Sequence, residues 1–289
     1  MLTTHKRSYS PSLFNAAKPE SLPGSSHRHK KRKLVETYAS ESPFPNFHHP
    51  TSSEAHSVFN LLSNAYPQYA TTLVAPKFNS NSAASCGSSQ NIIDALIGVI
   101  LSQNTSGKNA SSAKASLDAA FGRDNFAAIA ASPRDDVIAA IRHGGLANKK
   151  SATIQNLLIS IEKRHGKYSL QHLADTNLSD EEIMKELTSY EGVGLKTASC
   201  VLMFCLGRDS FAVDTHIFRL SKVLNWVPPN ADRILTQLHL DKMLPAELKY
   251  GLHVLLIQHG RVCKGCKKSV SSGSCILKNF VKESRASET

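Results

Sequence analysis

The sequence predicts an all-α fold, and three observations carry that expectation. No stretch alternates apolar and polar residues over the length of a strand. Ile154, Leu157, Leu158 and Ile161 recur at the spacing of one helix face. Ser179 with Glu182 three residues on is a capping box, the signature of a helix start.

Taken in order, residues 1–50 read as a disordered basic tail, rich in Ser, Pro, His and Lys. It carries eight Lys/Arg against three acids, and its run HRHKKRK (27–33) suits a nuclear address or a phosphate-binding arm. A first helix is expected over 53–75, with Val58, Phe59, Leu61 and Leu62 near one face. Residues 76–90 are a loop by composition. NIIDALIGVIL (91–101) is apolar nearly all round, and its length favours a buried helix over a strand. Further helices are expected at about 108–121, 134–142, 149–164, 180–189, 196–206, 215–224, 230–239 and 245–258.

The 289 residues suffice for one large domain or two smaller ones. A net charge of +11 points to a polyanionic partner. No apolar run approaches the roughly 20 residues of a membrane span, which removes integral membrane functions from the expectation. The opening MLTTHKRSYS lacks the apolar core of a signal peptide, so the six cysteines are expected to be reduced thiols.

The most informative stretch is SDEEIMKELTSYEGVGLKTASCVLMFCLG (179–207). A capped helix is followed by the turn Glu191-Gly192-Val193-Gly194-Leu195, and a second helix opens at Lys196. Glycines let a backbone come close to a ligand. The unpaired N–H groups and positive end of the second helix suit a phosphate. Shortly after, FAVDTHIFRL (211–220) places Asp214 ahead of another helix, where it also makes a good N-cap.

These segments resemble the helix-hairpin-helix and Gly/Pro-Asp signature of the endonuclease III family of DNA glycosylases and abasic-site lyases. Three more segments are similar in the family's order: LIGVILSQNTSGKNASSAKA (96–115), GGLANKKSATIQNL (144–157) and HVLLIQHGRVC (253–263). The resemblance covers roughly 55–280. It implies two helical lobes with a DNA-binding cleft between them. One lobe would be discontinuous, from 51–85 plus 209–289; the other would span 86–208 and end in the hairpin. The expected activity is base-excision repair on double-stranded DNA bearing a lesion or abasic site. The expected target is a pyrimidine and the expected state a monomer. Localisation would be nuclear, with a mitochondrial alternative.

The resemblance also implies roles for particular residues. Lys196 falls at the nucleophile position of the bifunctional members, where an amine attacks C1′ and then drives β-elimination through a Schiff base. Asp214 falls on the catalytic aspartate, which stabilises charge on the sugar and relays a proton. Gly192, Val193, Gly194 and Thr197 would grip the phosphate chain. A flipped base leaves a gap, which Asn104 with Gln103 would fill from one loop and Leu146 from another. Lys149, with His143 and Lys150, could hold phosphates nearby. Readings left open are a phosphate-binding Lys196, a glycosylase that only removes the base, and an inactive DNA-binding module.

Relatives hold a four-iron four-sulfur cluster with Cys-x6-Cys-x2-Cys-x5-Cys. Here Cys263 and Cys275 match two ligand positions, Ser272 and Val281 stand at the other two, and Cys266 is extra. The expectation is a lost cluster, with no cofactor and no metal. A single zinc ion would need a fourth ligand, for which His259 is the near candidate.

Overall fold

The computed structural model describes residues 41–72, 91–175, 177–266 and 274–286. The described residues contain α-helices and short 3-10 turns and no strand, as the sequence predicts. The helices are α1 (Ser52–Ala65), α2 (Ile92–Ser102), α3 (Gly107–Phe121), α4 (Phe126–Ala131), α5 (Arg134–Ile141) and α6 (Ala147–His165). They continue with α7 (Asp180–Ser189), α8 (Leu195–Phe204), α9 (Thr215–Val223), α10 (Arg233–Met243), α11 (Ala246–Val262) and α12 (Ile276–Ala286). The loop expected at 76–90, the basic run 27–33 and Ser272 lie outside the described residues.

Two apolar cores organise these helices. The first runs from Ile92 to Leu206 and joins the buried faces of α2 to α8. Its centre is α2, whose Ile92, Ile93, Leu96, Ile100 and Leu101 are wholly buried, which explains a segment apolar on almost every side. At about 2 kcal/mol for each such side chain, this one helix contributes heavily to the lobe. The second core takes Ala55, Val58 and Leu62 from α1 and then Phe211 to Leu277. A chain segment thus leaves the second core, builds the first and returns. The seam is filled by Cys200, Met203, Phe204, Ala212 and Tyr250, with Val99 and Val254 against them. Across it, the Gln237 amide donates to Ser199 Oγ (2.7 Å) while its oxygen accepts from the Val213 N–H (3.1 Å).

Three features differ from the sequence expectation. Residues 41–50, which composition assigns to the tail, lie against the second core. Ser42 Oγ pairs with His239 Nδ1 at 2.7 Å, and His239 Nε2 donates to the His49 carbonyl at 2.6 Å. Phe44 and Phe47 meet the same ring edge-on. Helix α4 is six residues of alanine-rich sequence, too short to show a period, and is started by the Asn125 side chain. Helix α12 does carry a legible stripe, Ile276, Leu277, Phe280 and Val281, that the expected helices leave out.

Candidate active site

The hairpin is built as its sequence requires. Ser179 and Glu182 cap α7 reciprocally, with the Ser179 N–H donating to Glu182 Oε2 at 2.8 Å. After α7 the chain turns at Gly192, whose φ is +80°. A Cβ there would also stand 2.2 Å from Thr153 Cγ2 on α6, so both conformation and space demand glycine. Gly194 is different. Its φ is −96°, and a Cβ there would meet nothing within 4 Å. It is the N-cap of α8, and no side chain caps that helix, so the positive end is left open. The side chains of Val193 and Thr197 are buried, so any grip on a ligand falls to their backbone.

Lys196 sits half-buried in the first turn of α8, and Asp214 sits half-buried at the start of α9. The two come from different lobes, yet both act on the same two buried groups at the seam. Burial pushes the Cys200 thiol up; the Lys196 ammonium, hydrogen-bonded to it, pulls the other way, and the Asp214 carboxylate raises it. His253 on α11 is held down to about 4 by burial first and then by the Lys196 charge, against the opposing pull of Asp214. Its imidazole is therefore neutral. Nδ1 carries the proton and donates to the Ala212 carbonyl at 2.9 Å, which leaves Nε2 as an acceptor. Asp214 Oδ1 accepts from the Ile217 N–H at 2.8 Å, so the capping role is present whatever else the carboxylate does. Sequence reasoning missed Cys200 and His253; the signal was a histidine in the interior of an apolar helix.

Two loops carry the other residues that the resemblance assigns to DNA. Gln103 ends α2 and Asn104 follows it in the left-handed region, at φ +50°. Leu146, ahead of α6, has φ +53° and is 53% exposed. A leucine that is both exposed and held in a conformation leucine avoids is costly for the fold alone. Lys149 and His143 are exposed. Lys150 is not, and the expectation that it holds phosphate is corrected. Its amine is buried and donates to the carbonyls of Leu101 (2.7 Å) and Gly144 (2.8 Å), tying the two loops together. Burial holds it below the ordinary lysine range.

The C-terminal cysteines do not stand apart as remnants. His259, Cys263, Cys266 and Cys275 bring one ligand atom each to within 4.8 Å of one another, a group that could hold a metal. The expectation of no metal site is corrected accordingly. His259 Nε2 lies 3.0 Å from Cys266 Sγ and 3.6 Å from Cys275 Sγ, and the two sulfurs are 3.1 Å apart. Burial, and then the Arg219 charge, hold His259 down to about 4, so it is a neutral donor. Val281, at a cluster-ligand position in the resemblance, packs instead against the second core.

Comparison with known proteins agrees with this architecture. The family model described as "HhH-GPD superfamily base excision DNA repair protein" matches residues 97–246. A candidate DNA glycosylase of Arabidopsis thaliana is 36% identical over 272 residues, covering 84% of this chain and 91% of that protein. Endonuclease III of Sulfolobus acidocaldarius is 29% identical over 198 residues, covering 68% and 84%. Among solved structures, a non-covalent endonuclease III–DNA complex superposes with a TM-score of 0.61 at 23% identity, over 82% of this chain and 98% of that one. The match spans the Gln103–Asn104 loop, the hairpin and the Asp214 segment, and with these findings the chain belongs to the HhH-GPD superfamily of base-excision DNA repair proteins.

Proposed function

We propose that this DNA glycosylase is bifunctional: it removes a damaged, mismatched or modified pyrimidine from duplex DNA and then nicks the strand through Lys196. The observation that carries the reading is the convergence of Lys196 and Asp214, from separate lobes, on His253 and Cys200.

In this scheme the Lys196 amine forms a bond to C1′ while the bond from C1′ to the base breaks, and the departing base takes up a proton from water. Asp214 offsets the positive charge that grows on the sugar and accepts a proton from the attacking nitrogen. Opening of the ring, with a proton to O4′, gives a Schiff base. Loss of a proton from C2′ then expels the 3′ phosphate as the C3′–O bond breaks. The open end of α8, reached across the bare Gly194, takes a backbone phosphate on its N–H groups. Leu146 and Asn104, with Gln103 beside them, enter the gap left by the extruded nucleotide, and Lys149 attracts the backbone. None of these steps needs a metal, and no four-iron cluster enters the scheme. The protein acts as a monomer, and the basic run at 27–33 directs it to the nucleus.

The test is borohydride trapping on a duplex with one abasic site. Wild type should form a covalent adduct, and Lys196→Ala should lose it while keeping DNA affinity within a few-fold. An adduct that persists in Lys196→Ala moves the nucleophile elsewhere. A wild-type protein that binds the duplex and yields no adduct removes the lyase step. Screening single-lesion duplexes then identifies the base.

A further inference from the structure

We infer that His259, Cys263, Cys266 and Cys275 hold a single tetrahedral divalent ion of the zinc class, as a closed structural clasp in the region where relatives carry a four-iron cluster. The donor set argues first. A cubane cluster uses four thiolates, each standing outside the cube on its own iron, and so holds them well apart. Here three thiols and one imidazole crowd to within 4.8 Å. A tetrahedral ion with bonds of about 2.3 Å to sulfur sets its thiolates roughly 3.8 Å apart. The sulfurs of Cys266 and Cys275 at 3.1 Å need spread by less than about 1 Å to accept it.

The local chain is arranged for such a site. His259 and Cys263 lie one turn apart at the end of α11, and Cys263-x2-Cys266 is a common chelating spacing. Cys275 stands directly before α12. Tyr66 Oη lies 2.8 Å from His259 Nδ1. With the proton on Nδ1 donated to that oxygen, Nε2 is turned toward the sulfurs as a ligand, the support that metal-bound histidines usually have. Three thiolates and a divalent ion leave one negative charge. The Arg219 guanidinium stands beside it, donating to the carbonyls of Cys266 and of Gly260, the latter at 3.0 Å. His259, Cys266 and Cys275 are all buried, so the site offers no open position for substrate and is structural. The clasp joins α11 and α12 directly, α1 through Tyr66 and α9 through Arg219.

The full chain, purified without chelator from zinc-supplemented medium, should carry about one zinc per chain, no acid-labile sulfide and no brown colour. Replacing the ion with Co2+ should give thiolate charge-transfer bands and the strong visible bands of a tetrahedral site. His259→Cys should keep the ion and shift those bands, whereas Cys275→Ser should lose most of it. Chelator should lower the Tm of the wild type by roughly 5 °C or more. Iron with sulfide at about four per chain overturns the inference, as does an octahedral Co2+ spectrum. A metal-free chain with a Tm indifferent to chelator overturns it too. Should Cys275→Ser fail to fold, Co2+ titration of the stripped wild type decides. These readouts are independent of borohydride trapping, so either proposal can fail without the other.

Discussion

The Lys150 ammonium stands 2.7 Å from the Leu101 carbonyl oxygen, and its second bond, to Gly144, fastens the loop bearing Leu146 to the end of the helix that leads into Asn104. A buried cation is an expensive fastener, and its two charge-assisted bonds offset the burial. Lys150→Met keeps most of the stem and leaves both carbonyls without that donor. We expect a loss of about 2 to 4 kcal/mol in urea denaturation, and base release at least tenfold slower at equal folded fraction. Unchanged stability would remove Lys150 from this structural role.

Asp214 caps α9 and faces the seam, and two substitutions separate these roles. Asparagine is an equally good cap without the charge. Asp214→Asn should therefore stay within about 0.5 kcal/mol of wild-type stability while base release falls by orders of magnitude. Asp214→Ala should lose a further 1 kcal/mol or so of stability. Equal base release by Asp214→Asn and wild type would confine the carboxylate to capping.

The two hairpin glycines should respond oppositely. Gly192→Ala meets Thr153 and a forbidden φ together, and should cost about 2 kcal/mol or more, read from the denaturation midpoint. Gly194→Ala meets nothing in the protein and should leave stability within about 1 kcal/mol, while weakening affinity for abasic duplex several-fold. Full affinity in Gly194→Ala would mean that no phosphate chain passes there.

His253 predicts a pH dependence of stability. Its folded value is about 4, below the ordinary histidine value near 6.5. Between these the unfolded chain binds a proton that the folded protein refuses, so stability falls as pH drops from about 6.5 toward 4. The full effect is on the order of 3 kcal/mol at low pH. His253→Asn, which retains a donor for the Ala212 carbonyl, should flatten the slope by one proton in that window. An unaltered slope would show that His253 titrates normally.

Much of this molecule was legible without coordinates. The apolar periods gave most of the helices, since a 3.6-residue repeat survives any packing arrangement. The capping box at Ser179 and the glycine at 192 were visible because they depend on local backbone chemistry, whereas Lys196 and Asp214 were singled out by the family resemblance. What tertiary structure decided was the fate of polar groups. Lys150 and Lys149 are adjacent and alike in sequence, yet one is a buried brace and the other is exposed, because helix α6 turns them to different sides. Cys200 and His253 gained meaning only when α8 and α11 met at the seam. His259 was already the near candidate for a fourth ligand in the sequence, and only the folded chain brings its Nε2 to 3.6 Å from Cys275 Sγ, sixteen positions away.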